Sequence, residues 1–261
     1  MKNKAFSLAE ILIATMFMGI IASLTIPSTI NSLKYREHVT AYKNAFQKVK
    51  EVTSNSNITD KSEQGVEKFW AQLNDALPVI GYSVSGIKST GIIEKVAEVV
   101  PMNASTLAER ATWSHLHEGS SMTIGSKTGS MVTSNQSWSP WIITENGVAF
   151  AVRSTAVHDI PNSTDPLHST TCGTVSNIFH AKPDSRYNTT NMGAMLSCVV
   201  LLIDVNGLDK GPNTYPDYQV MTEGEAYEQI RDKDRFHIFV GLDGVSAGPE
   251  GVVTYHIMKG H

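Results

Sequence analysis

From Phe6 to Ile26 the chain is almost wholly apolar, and this run restricts the possible folds more than any other segment. At about 1.5 Å per residue it makes roughly 31 Å of helix, enough to cross the hydrocarbon core of a bilayer. A single acid, Glu10, interrupts it. A charged side chain at the centre of a membrane helix costs about 2.5–3.5 kcal/mol, so a carboxylate here requires a partner. Lys2 and Lys4 precede the run, and Lys34, Arg36 and Glu37 follow it. The tendency of basic flanks to remain cytoplasmic keeps the short N-terminal stub inside and puts the remainder of the chain outside.

Two ordinary explanations fit this segment less well. A secretory signal peptide has an apolar region of about 7–15 residues followed by a small-x-small cleavage site. Here the run is longer, Glu10 falls within it, and Ala22-Ser23-Leu24 matches that site poorly. An uncleaved signal anchor tolerates the length but offers Glu10 only the lipid interface.

The leader has a distinctive order: basic residues, the small Ala5, then Phe6, polar Ser7, Leu8 and, four residues after Phe6, Glu10. This segment resembles the N-terminus of type IV pilins and type II secretion pseudopilins. The resemblance implies a prepilin peptidase that cuts between Ala5 and Phe6 and methylates the new amine of Phe6. That family usually has Gly before the cut, where this chain has Ala5. Pro27, twenty-one residues after Phe6, falls where many pilins carry a helix-bending proline. Cleavage would leave a positive amine on Phe6 one turn from Glu10, and both charges would need neighbours in an apolar setting. The resemblance implies that Glu10 of one subunit meets the amine of the next and sets axial register, as one buried polar group can in a coiled coil. Ala14, Gly19, Ala22 and Ser23 would permit close helix approach, although small residues also occur as plain filler.

Helical periodicity resumes beyond Pro27. Ile30, Leu33, Val39, Tyr42, Ala45, Phe46 and Val49 recur near every 3.6 residues, with Lys34, Glu37, Lys43, Lys48 and Lys50 between them. The helix is expected to reach about Val52. Pro27 lacks an amide hydrogen and crowds the preceding turn, which predicts a kink or local melting instead of an end. The polar stretch Thr53 to Gln64 reads as the loop leaving a stalk. The chain therefore divides into a leader at 1–5, an apolar helix half at 6–27, an amphipathic half at 28–52 and a globular head at 53–261.

Within the head, helices are expected at Glu67 to Leu77, Thr106 to His117 and Glu223 to Arg231. Ser, Thr and Gly dominate Gly119 to Ser139, favouring loops and short exposed strands. Trp141 to Val152 is the clearest hairpin, two β-rich runs joined through Asn146-Gly147. Val199 to Ile203, Phe236 to Val240 and Val252 to Ile257 are expected strands. Helices first and antiparallel strands later predict an α+β fold: a long N-terminal helix, half membrane-embedded and half amphipathic, packed on a head with an antiparallel sheet. A chain that is 41% hydrophobic and 18% charged, with net charge −4, suits one substantial exported core and offers no basic patch for nucleic acid.

Cys172 and Cys198 lie in the part expected outside the cytoplasm, where thiols tend to pair, so a disulfide is expected; two buried thiols are the alternative. A metal site using His168 with these cysteines lacks CxxC or paired-His spacing. The stretch from Asp204 to Asn213 is an Asp/Asn/Gly-rich loop leaving a strand. Alternating oxygen donors suit calcium, but the spacing departs from an EF-hand at Leu208, and the same residues are good turn formers. Together with Asp243-Gly244, this part resembles the C-terminal region of pseudopilin-like proteins with a DVNG…KGPN loop, several of which bind calcium. The ligands to test are Asp204, Asn206, Asp209 and Asp217, for a structural calcium and no other cofactor.

Catalytic signatures are thin. His115 and His117 alternate and do not share a helix face, and HExxH and phosphate-loop motifs are absent. The expected function is a non-enzymatic subunit of a type IV pilus or type II secretion pseudopilus, in the bacterial inner membrane and then in the fibre. Its implied partners are other pilin or pseudopilin subunits, the prepilin peptidase, inner-membrane assembly machinery and the membrane. The alternative is an extracytoplasmic binding or hydrolytic domain on a signal anchor.

Overall fold

Helix α1 (Leu8–Ser54) is 47 residues long, and its two halves meet different surroundings. From Leu8 to Leu33, thirteen large apolar side chains are exposed, and the most apolar window buries none of its residues against the protein. In the second half, His38, Tyr42, Ala45, Phe46, Val49, Val52 and Thr53 form one buried face. Their three- and four-residue spacing is the helical period that the sequence carries. The structure, a computed structural model, describes residues 7–54, 58, 63–83, 99–101, 141–154, 172–181, 196–216 and 221–259. Ala5, Phe6, the helix expected at Thr106 to His117, the Gly119 to Ser139 stretch, His168 and Asp217 lie outside the described residues.

The elements after α1 run α2 (Glu63–Ala76), β1 (Val79–Ser83), β2 (Val99–Pro101), β3 (Trp141–Thr144), β4 (Ala149–Ser154), α3 (Val175–Phe179) and β5 (Val199–Asp204). They continue with α4 (Glu223–Asp232), β6 (Arg235–Gly241), β7 (Gly244–Ser246) and α5 (Val253–Lys259). The seven strands form one antiparallel sheet ordered β2-β1-β3-β4-β5-β6-β7. With the long apolar helix this makes the fold α+β.

Strand β5 explains its own sequence. It is central, and all six of its residues are buried. Val199, Leu201 and Ile203 face a core shared with α1, α2, α4 and α5, while Val200 and Leu202 face a second cluster with Ile178, Leu208 and Val252. A strand covered on both faces reads as a continuous apolar run. The α1 joint is polar as well as apolar: the Tyr42 hydroxyl donates to the His237 carbonyl at 2.7 Å, and His38 Nδ1 lies 2.7 Å from the Ile230 carbonyl. Burial pushes the Tyr42 hydroxyl up.

Helix α1 continues through Pro27 instead of ending there, as the sequence predicts, and without the local melting that is one form expected for that passage. The Thr25 hydroxyl donates to the Ile21 carbonyl, and those of Ser28 and Thr29 to the Thr25 carbonyl, so these polar groups are satisfied inside the helix. The loop expected from Thr53 is shorter, since α1 reaches Ser54 and α2 starts at Glu63. Val252 to Ile257 is not a strand: Val253–Lys259 is helical. Its burial marks Val253, Thr254 and Ile257, a helical spacing, and the Thr254 hydroxyl donates to the Ala247 carbonyl. Packing against the core overrides the β-branched composition there.

The disulfide Cys172–Cys198 is formed, tying the chain before α3 to the chain before β5 across a separation of 26 residues. Replacing both cysteines by Ser is expected to lower stability by about 3–4 kcal/mol in the chain-entropy model. Denaturant unfolding should show this as a lower midpoint at nearly constant slope.

Candidate functional site

The first candidate surface is the exposed half of α1, and its only carboxylate is held at the helix start. Ser7 occupies the N-cap and Glu10 the third helical position. The Ser7 amide and hydroxyl both donate to Glu10 Oε2, at 2.8 and 2.9 Å, and the Glu10 amide donates to Ser7 Oγ at 3.3 Å. This is a reciprocal capping box, which satisfies two otherwise orphaned amides. The sequence carries its signature, Ser-x-x-Glu, and reading Glu10 solely as an intermolecular group overlooks it. Behind the carboxylate Ile11, Leu12, Ile13, Phe17, Ile20, Ile21 and Leu24 are all exposed, spread around the helix instead of along one face. Gly19 has open space where a side chain would stand, so the chain's own packing does not require glycine there.

The second candidate is the loop after β5. Asp204 is fully buried, and its Oδ2 accepts from Arg235 Nε at 2.9 Å while Oδ1 accepts from the Gly207 amide at 2.9 Å. Burial pushes the Asp204 carboxyl up to about 6, with the Arg235 charge and hydrogen bond pulling the other way. Arg235 Nη2 donates to Asn213 Oδ1, and its guanidinium lies 5.2 Å from the Trp141 ring centre and 5.8 Å from that of Tyr215. Asp234 gathers the rest of the loop, accepting from the amides of Asn213 and Thr214 and from Asn206 Nδ2. Gly207 has φ +94°, and a Cβ there would stand 2.8 Å from the Gly147 carbonyl oxygen. Only glycine fits the loop against the β3–β4 turn.

These contacts bear on the calcium ligands. Both Asp204 oxygens are engaged by protein donors, Asn206 turns its amide nitrogen to Asp234, and Asp209 is exposed. Among the described residues no three His, Cys, Asp or Glu side chains gather to hold a metal. In this arrangement the Asp204 carboxylate serves the protein's own Arg235 and Gly207 donors, while Asp217, the fourth expected ligand, lies outside the described residues. Sequence reasoning identified Asp204 but missed Asp234 and Arg235, whose role depends on β5 and β6 lying side by side. The pairing of Asp204 with Arg235 across that ladder is the missing link.

Neither protein-family models, nor curated proteins, nor solved structures give a match to this chain.

Proposed function

We propose that this protein is a pilin-like structural subunit, processed before Phe6 and polymerised through the apolar half of α1, with its head outside the cytoplasm. The observation that carries the reading is the division of one helix: Leu8 to Leu33 exposes apolar side chains along its length, whereas His38 to Thr53 is fixed to the head. The first half is long and apolar enough to span a membrane.

Magnitudes support insertion with a residual demand at Glu10. Nine Leu, Ile and Phe side chains from Leu8 to Ile26 are exposed. At about −0.3 to −0.6 kcal/mol each they contribute roughly −3 to −5 kcal/mol, against at most about 2.5–3.5 kcal/mol, the cost of a charge at the helix centre, for Glu10 in the first turn. The helix inserts, yet its acid offsets part of the gain. Pairing with the terminal ammonium of a neighbouring copy would recover it and fix the stagger between subunits. Such a subunit works by position and has no reaction of its own.

Mass spectrometry of the mature N-terminus tests the reading in a host with a prepilin peptidase. A chain starting at N-methylated Phe6 is expected. An intact Met1 would favour the signal-anchored domain, and a start near Ser28 would exclude both.

A further inference from the structure

We infer that Ser7 is a positioning residue for subunit assembly: it holds one oxygen of the Glu10 carboxylate within its own chain and leaves the other to meet the cation of an adjacent copy. This rests on the pilin-like reading proposed above. Glu10 Oε2 takes both hydrogen bonds from Ser7, at 2.8 and 2.9 Å. The Glu10 amide returns a bond to Ser7 Oγ, so the pair is locked from both ends.

The same device occurs a second time. Thr222 and Glu225 form a reciprocal box at the start of α4, with the Thr222 amide and hydroxyl each 2.9 Å from Glu225 Oε2. There the hydrogen bonds hold Glu225 below the usual carboxylate range, and the group faces water. Water can solvate the remaining oxygen of Glu225. At Glu10 the flanking side chains are Leu8, Ile11, Leu12 and Ile13, so in a membrane the remaining oxygen has no such solvent. Helical side chains lean toward the N-terminus, which aims the carboxylate at the end where the new amines lie. Without Ser7, the carboxylate would have several rotamers to lose on meeting a cation.

The test compares full-length chains carrying Ser7→Thr, Ser7→Val and Glu10→Gln, with total subunit, mature N-terminus and sheared fibre yield all measured. Thr and Val have the same shape, and only Thr retains the hydroxyl. Ser7→Thr is expected to assemble like the parent. Ser7→Val is expected to be inserted and processed normally but to give about tenfold less fibre, equivalent to about 1.4 kcal/mol. Equal yields from Thr and Val, with Glu10→Gln still defective, would overturn the role of Ser7 and leave the pilin-like reading standing. A processing failure confined to Val would also overturn it, by moving the hydroxyl's role to the peptidase. Normal fibres from Glu10→Gln would sink the pilin-like register and this inference together.

Discussion

Arg235→Met is expected to destabilise the head by about 3–5 kcal/mol at neutral pH, the cost of removing one partner from a buried ion pair. Arg235 and Asp204 are both wholly shielded from solvent. Methionine fills much of the same volume, so the loss falls mainly on the carboxylate left behind. Asp234 is less affected, because three loop donors already satisfy it. The pH dependence follows from Asp204. Its folded carboxyl titrates at about 6, above the ordinary value of 3.8, because burial outweighs the attraction of Arg235. A carboxyl raised on folding binds its proton more tightly in the native state, so stability falls as pH rises from about 4 to 6. Removing Arg235 raises the folded carboxyl further and extends this loss to higher pH. The gap between variant and parent should therefore shrink as pH falls toward about 6 and level off below it, in denaturant titrations at matched ionic strength. Adding Asp204→Asn to Arg235→Met should recover much of the loss, since an amide needs no counter-charge and can still accept from Gly207. A deficit independent of pH and unrelieved by the second change would mean that packing against Trp141 and Tyr215 is the dominant contribution.

This cluster shows where sequence reading stops. The hairpin from Trp141, the strands at Val199 and Phe236 and the helix at Glu223 are all legible, because turn residues, apolar runs and caps act within a few positions. Thr222-Glu223-Gly224-Glu225 announces its own capping box. Arg235 is different: alone it looks like an exposed charge between Asp234 and Phe236. Its burial follows from β6 lying inside the sheet beside β5, which places it opposite Asp204. Short elements such as β7 and α3 carry too few residues for a period to show. Val252 to Ile257 misleads because β-branched and aromatic residues suit a strand, while the surface awaiting them takes a helix.

At the N-terminus the legible and illegible parts are reversed. Composition shows that Leu8 to Ile26 is apolar, but only the fold shows that the head covers none of its most apolar window. A core helix of the same composition would have been buried. The change at about Leu33 to His38 is where α1 passes from exposed apolar side chains to contact with α4: Tyr35 meets Tyr227 with ring centres 4.6 Å apart, and His38 meets Ile230.

A chain beginning at Ser28 is therefore expected to fold and to remain in solution without detergent, whereas the full chain partitions into membranes. The contacts that fix α1 to the head begin at Tyr35 and run through Tyr42, Phe46, Val49 and Val52. None of them is lost on truncation. The eleven large apolar side chains from Leu8 to Ile26 leave with the removed segment. At about 1.5–3 kcal/mol for each fully shielded side chain of this size, they dominate the preference for an apolar phase. Thermal unfolding of the truncated chain should match that of the full chain in detergent to within a few degrees, about 1 kcal/mol for a domain of this size. Flotation with vesicles should retain the full chain and release the short one. If the truncated chain unfolded or aggregated instead, the first half of α1 would be part of the head's own fold. The division of one helix between lipid and protein, on which the assembly reading depends, would then be wrong.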